Sequence, residues 1–194
     1  MQEIFYNKTF SGVFMSNLEI RRLDLSDAEA FMDYIHNWST DTSPFKIDAV
    51  KTYAEVNLDN FAEYVEKIRK EEVSAEKPDW STATKYFAFI NGQIAGEISC
   101  RWQIEKGILL EWGGHIGYGV APDFRGQHIA EKMVNFALPK YQKRLISQVM
   151  ISADKENVAS RKTIEANGGI LENTVEIDGD EICRYWINLE KSME

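Results

Sequence analysis

The run Gly117-Tyr118-Gly119-Val120-Ala121-Pro122-Asp123-Phe124-Arg125-Gly126-Gln127-His128-Ile129-Ala130 gathers residue types suited to holding a phosphorylated ligand. Its apolar start reads as a strand, its Pro and Gly positions as a tight loop, and Ile129 onward as a helix. The N–H groups of a first helical turn have no intrahelical partner, and the helix dipole adds positive potential there, so such an end binds anions. Arg125 adds a charge-assisted donor, and Gly126 lets the loop turn without a side chain in the way of the anion. Glycine weakens a strand, so Gly117 and Gly119 at alternate positions predict a bulge or the close approach of another backbone-like group. Together these features suit a ligand with a diphosphate at one end and an amide-bearing arm that lies along the strand.

Elements on both sides must position that run. Leu18 to Leu23 alternates apolar and polar as a half-buried strand does, and Ser26 with Glu29 predicts a capping box for a helix. Phe31, Tyr34, Ile35 and Trp38 on that helix share one face, which reads as core, and Phe61, Tyr64, Val65 and Ile68 mark a second helix. Ser74 to Thr84 reads as a loop. Lys85–Ile90 and Gln93–Trp102 form a hairpin across Asn91-Gly92. A strand from His115 to Val120 precedes the run's helix, which is expected to end near Pro139. Leu145 to Ser152 reads as a buried strand, Asn157 to Ala166 as a helix closed by Asn167-Gly168, and Asp178-Gly179-Asp180 as the turn of a last hairpin. The order β-α-α-β-β-β-α-β-α-β-β is α+β, read as one domain over residues 1–194.

Composition sets the limits. A hydrophobic share of 44% supports a core, and the net charge of −9 argues against a nucleic-acid binder. No apolar run reaches the roughly 18 residues of a membrane helix, and Met1 to Phe10 has no basic-then-apolar leader, so the expected location is the cytoplasm. Cys100 and Cys183 fit no disulfide or metal-ligand spacing and read as buried thiols; no metal site is expected. The P-loop and Gly-x-Gly-x-x-Gly patterns are absent.

The loop resembles the signature of the GNAT family of N-acetyltransferases, Arg/Gln-x-x-Gly-x-Gly/Ala, matched by Arg125-Gly126-Gln127-His128-Ile129-Ala130. His128 stands where the family has glycine; histidine tolerates positive φ better than a β-branched residue does. Asn157-Val158-Ala159-Ser160-Arg161-Lys162 is similar to the family's later Asn-x-x-Ala/Ser helix. The resemblance covers residues 85 to 189, and Gly113 to Tyr118 resembles a subgroup known only as predicted acetyltransferases. It implies an acyl-CoA N-acyltransferase fold, a central mixed sheet of about six or seven strands flanked by about four helices. It also implies acetyl-CoA as co-substrate, bound by Tyr118, Gly119, Val120, Arg125 to Ala130, Asn157, Ser160 and Lys162, with Tyr118 walling the pantetheine channel.

Attack of an amine on a thioester needs a neutral amine, and amines titrate at about 7.7 to 10.4, so a base should assist. Glu97, Glu111 and His115 are the candidates. The resemblance implies a backbone N–H near Val120 as oxyanion donor. Ile164 takes the position of the family's acidic tyrosine, with Tyr185 as a possible substitute; a thiol of pKa about 8.5 leaves without much help. The acceptor is a small-molecule or peptide amine, with N-terminus, lysine, polyamine and antibiotic all open, as is a homodimer. The alternative is a non-catalytic acyl-CoA-binding, sensing or protein-interaction module.

Overall fold

A computed structural model describes residues 18–44 and 49–190. The segment carrying Phe5, Tyr6, Phe10 and Phe14 lies outside the described residues. Strands β1 (Leu18–Arg21), β2 (Ala83–Ile90), β3 (Gln93–Arg101) and β4 (Ile116–Val120) form one sheet in that order. Strands β5 (Gln148–Asp154), β6 (Ile170–Ile177) and β7 (Asp180–Asn188) form a second, ordered β5-β7-β6. The helices are α1 (Ala28–Ser39), a single turn α2 (Ala49–Thr52), α3 (Phe61–Lys70), α4 (Ile129–Gln142) and α5 (Val158–Ala166). The α+β class and the seven strands are as expected. The expected central sheet is divided, and each ladder within its two halves is antiparallel.

Both hairpins follow from their turn residues. Asn91 and Gly92 have φ of 51° and 82°, and Asp178 and Gly179 have 53° and 94°, the pair of positive angles that type I′ turns require.

The division of the sheet has a local cause. The His115 N–H donates to Met150 O (2.8 Å), but the Met150 N–H donates to the His115 imidazole Nδ1 (2.9 Å) rather than to a strand carbonyl. A side chain thus replaces a rung of the ladder where β4 begins. At this closest approach a Cβ on Gly114 would lie 2.9 Å from Met150 O, so only glycine fits. Beyond it β4 and β5 belong to separate sheets, and the edge of β4 is left open.

Cores lie on both faces of the first sheet. Phe31, Tyr34 and Trp38 of α1, and Phe61, Val65 and Ile68 of α3, pack on Phe87 and Phe89. Met133, Val134, Ala137 and Tyr141 of α4 pack on Ile98 and Cys100 and reach β5, β7 and Ile164. Cys100 and Cys183 are buried free thiols, as expected.

Two helix ends differ from expectation. The capping box before α1 is Asp24 with Asp27, not Ser26 with Glu29, because the Asp27 carboxylate accepts from both the Asp24 N–H (2.7 Å) and the Arg21 guanidinium (2.6 and 2.8 Å). Helix α4 runs through Pro139 to Gln142. Burying Tyr141, whose hydroxyl donates to His115 O (2.8 Å), outweighs the one hydrogen bond that proline cannot make.

Candidate active site

The open edge of β4 is the first component of the site. The Arg101 N–H donates to His115 O (2.8 Å) and the Ala121 N–H to Ala95 O (2.9 Å), so residues 115, 117, 119 and 121 form the ladder with β3. By antiparallel alternation Tyr118 and Val120 turn their N–H and C=O groups outward, toward the edge that β5 has left. No bulge interrupts β4. Gly117 instead leaves room for Arg101, whose Nη2 would lie 3.1 Å from a Cβ there.

The loop is the second component. Pro122–Phe124 make one 3-10 turn, Gly126 has φ 76°, and His128 sits in the left-handed region at φ 57°, ψ 25°, as the N-cap of α4. Hydrogen bonding in the loop stops at Arg125 N–H to Pro122 O (3.3 Å) and resumes at Lys132 N–H to His128 O (3.1 Å). Among the described residues the six N–H groups from 126 to 131 make no hydrogen bond. Unpaired donors in such number at a helix N-terminus are what an anion satisfies. The His128 side chain is 76% exposed and its Nδ1 lies 3.1 Å from Glu131 Oε2; both residues line the cleft described below.

Helix α5 is the third. Asn157 Oδ1 accepts from the Ser160 N–H (3.1 Å) and caps it, which leaves the Asn157 amide NH2 for a ligand. The Tyr118 hydroxyl bonds Ser160 Oγ (2.9 Å) and donates to Ser160 O (3.1 Å), tying α5 to β4. Burial raises the Tyr118 pKa, so the hydroxyl stays neutral and its ring is a wall.

Between these parts lies a cleft of about 660 Å³. Tyr118, Gly119, Val120, Arg125, Gly126, His128, Ile129, Ala130, Asn157, Ser160 and Lys162 all line it. Gln127 does not; it is exposed outside the cleft. Lys162 is exposed at the rim and makes no ion pair among the described residues.

Arg125 lines the cleft but is not a free donor. Its Nη1 and Nη2 donate to Asp41 Oδ1 (3.0 Å) and Oδ2 (2.6 Å), and its Nε to Val120 O (3.3 Å). Among the described residues that line the cleft, Lys162, not Arg125, is therefore the cation available to an anion. Trp38 and Ser43 also line the cleft, and the sequence reading missed them. Trp38 falls on the apolar stripe of α1 and is indistinguishable by spacing from core.

None of the three candidate bases lines the cleft, and Glu97 is the one that pairs across the ladder with a residue that does. Glu97 pairs across the ladder with Gly119, a cleft residue, and with Phe87, so it shares the sheet face covered by α1 and α3. The Tyr53 hydroxyl donates to Glu97 Oε2 (2.5 Å) and accepts from Lys85 Nζ (3.1 Å). Glu111 is exposed on a π-helical turn, Leu109–Gly113, and lines no part of the cleft. His115 is 4% exposed; burial lowers its pKa to about 4, and its accepting nitrogen is already used by Met150. Its imidazole thus joins β4 to β5. Ile164 is fully buried in the core, and the Tyr185 hydroxyl is held between Arg161 Nε (2.9 Å) and Glu165 (3.1 Å), outside the cleft. Among the described residues no group of three or more His, Cys, Asp or Glu is placed to hold a metal, and no helix is long and apolar enough to cross a membrane.

The chain is similar in fold to RimJ of Mycobacterium smegmatis in complex with CoA-disulfide, at 15% identity and TM-score 0.66 over 91% of this chain and 84% of that one. It is also similar to RimL, a ribosomal L7/L12 alpha-N-protein acetyltransferase in complex with coenzyme A, at 18% identity and TM-score 0.61 over 92% and 97%. A spermidine N-acetyltransferase SpeG chimera from Vibrio cholerae and hSSAT shares 16% identity and TM-score 0.60 over 91% and 98%. A search among curated proteins finds no match. The Acetyltransferase (GNAT) domain family matches residues 17–170, most of the chain, and the chain therefore belongs to the GNAT acetyltransferases, the acyl-CoA-dependent N-acyltransferases.

Proposed function

We propose that the chain moves an acetyl group from acetyl-CoA to a primary amine by direct attack through a tetrahedral intermediate. The observation that carries this reading is the set of six unpaired N–H groups, residues 126–131, at the head of a cleft walled by the open edge of β4. A diphosphate satisfies those donors, with Lys162 adding charge at the rim. The amides of a pantetheine arm match the outward groups of Tyr118 and the Asn157 NH2. Similarity to chains bound to coenzyme A supports the same ligand.

The Val120 N–H, at the end of the open edge, is the donor for the oxyanion that forms when the amine attacks. Glu97 takes the amine proton, directly or through one water, and Tyr53 holds its carboxylate in place. The thiolate departs without a dedicated acid, in keeping with a buried Ile164 and a thiol pKa of about 8.5.

Glu97→Gln is expected to lower kcat by about a hundredfold or more while the Kd for coenzyme A stays at the native value. Thiol release measured with peptide N-termini, lysine, polyamines and aminoglycosides tests the acceptor class. The absence of any acid at position 164 favours one second reading, a binding module that holds acyl-CoA without turnover. It predicts calorimetric binding of acetyl-CoA with no thiol release from any amine.

A further inference from the structure

Asp41 lies just beyond α1, 84 positions from the loop arginine with which it pairs, and its side chain is 4% exposed. It holds two segments at once. Its oxygens accept from Arg125 Nη1 and Nη2, at 3.0 and 2.6 Å, and Oδ1 also accepts from the N–H of Ser43 (2.9 Å), which like Arg125 lines the cleft. The guanidinium lies over the Trp38 ring, 5.4 Å from its centroid, and the third nitrogen reaches Val120 O at the end of β4. One turn earlier Asn37 Nδ2 donates to Asp123 Oδ2 (2.6 Å), a second tie between α1 and the same loop.

From this geometry we infer that Asp41 is a positioning residue: through Arg125 it sets the end of β4 and the phosphate loop against the C-terminal turn of α1. The inference rests on the proposed coenzyme A site. An anion that took Arg125 would have to break a bidentate pair with a buried carboxylate, which costs more than a surface contact returns. The loop's own N–H groups and Lys162 then carry the phosphate. Those N–H groups make no internal hydrogen bonds, so the loop's orientation must be fixed from outside, and the Asp41–Arg125 pair with Asn37–Asp123 is what fixes it.

The test compares native chain, Asp41→Asn and Arg125→Lys by calorimetry with coenzyme A, by KM for acetyl-CoA and for the amine, and by thermal melting. Both variants are expected to weaken coenzyme A about tenfold or more, with the KM for the amine unchanged, since misplacing bound groups is costly. Arg125→Lys keeps the charge and alters a side chain that is 40% exposed, so it carries the test even if Asp41→Asn fails to fold. Affinity retained in Arg125→Lys, or tightened in Asp41→Asn, would overturn the inference by making Arg125 a phosphate ligand that Asp41 withholds. A lower melting temperature with unchanged Kd would overturn it by leaving the pair a purely structural role. Failure of the native chain to bind coenzyme A would instead remove the proposed function itself.

Discussion

Burial of His115 against Tyr141, at 5.3 Å between rings, with the Met150 N–H on Nδ1, keeps its imidazole neutral at physiological pH. Desolvation is the main cause and Arg101 adds to it, while Glu105 opposes both. The sign of the pH effect follows. The folded pKa lies below the unfolded value, so the unfolded chain binds the extra proton first. Stability from this residue is complete above about pH 6.5 and is lost as pH falls toward 4. That displacement corresponds to roughly 3 kcal/mol. Denaturant unfolding at pH steps from 7 to 4 should show a steep loss in the native chain and a shallower one in His115→Gln. Equal slopes would mean that other groups dominate acid unfolding.

Helix α5 owes its start and its place in the cleft to one residue, Asn157, whose oxygen caps the helix while its nitrogen is left for a ligand. The two roles separate chemically. Serine caps as well as asparagine but cannot offer the NH2 group, whereas alanine does neither. Asn157→Ser should keep the melting temperature near the native value and raise the KM for acetyl-CoA several-fold. Asn157→Ala should raise KM similarly and also cost about 1 kcal/mol of stability. A KM unchanged in the serine variant would confine Asn157 to capping. Elements of this kind are legible in the sequence because their signals are local. Asn157 before a helix, and Asn91-Gly92 or Asp178-Gly179 between apolar runs, each set backbone angles within a few positions. Pro139 misled the reading of α4 because what holds the helix past it, the Tyr141 bond to His115 O, spans 26 positions. Arg125 was recognised as part of the loop but not as Asp41's partner, since no pattern along the chain joins residues 84 apart.

The cleft exists because the molecule has two sheets where one was expected. One wall is β4 of the first sheet, and the other is α5, which follows β5 of the second; the Tyr118–Ser160 contact joins them across the gap. A ligand seated there bonds to both halves and should stabilise them together. At a coenzyme A concentration a hundred times its Kd, binding to the folded state alone adds about 2.7 kcal/mol. For a chain of 194 residues that corresponds to a rise in melting temperature of roughly 5 to 11 °C. ATP and NAD at the same concentration lack the pantetheine arm and should give a smaller shift, because only the loop and Lys162 would hold them. Amide hydrogen exchange adds the spatial test. Coenzyme A should slow exchange at the outward N–H groups of β4, at residues 126–131 and in the first turn of α5 alike. Protection confined to the loop, with ATP as effective as coenzyme A, would mean that the open strand edge does not receive the arm, and the cleft would be a phosphate site alone.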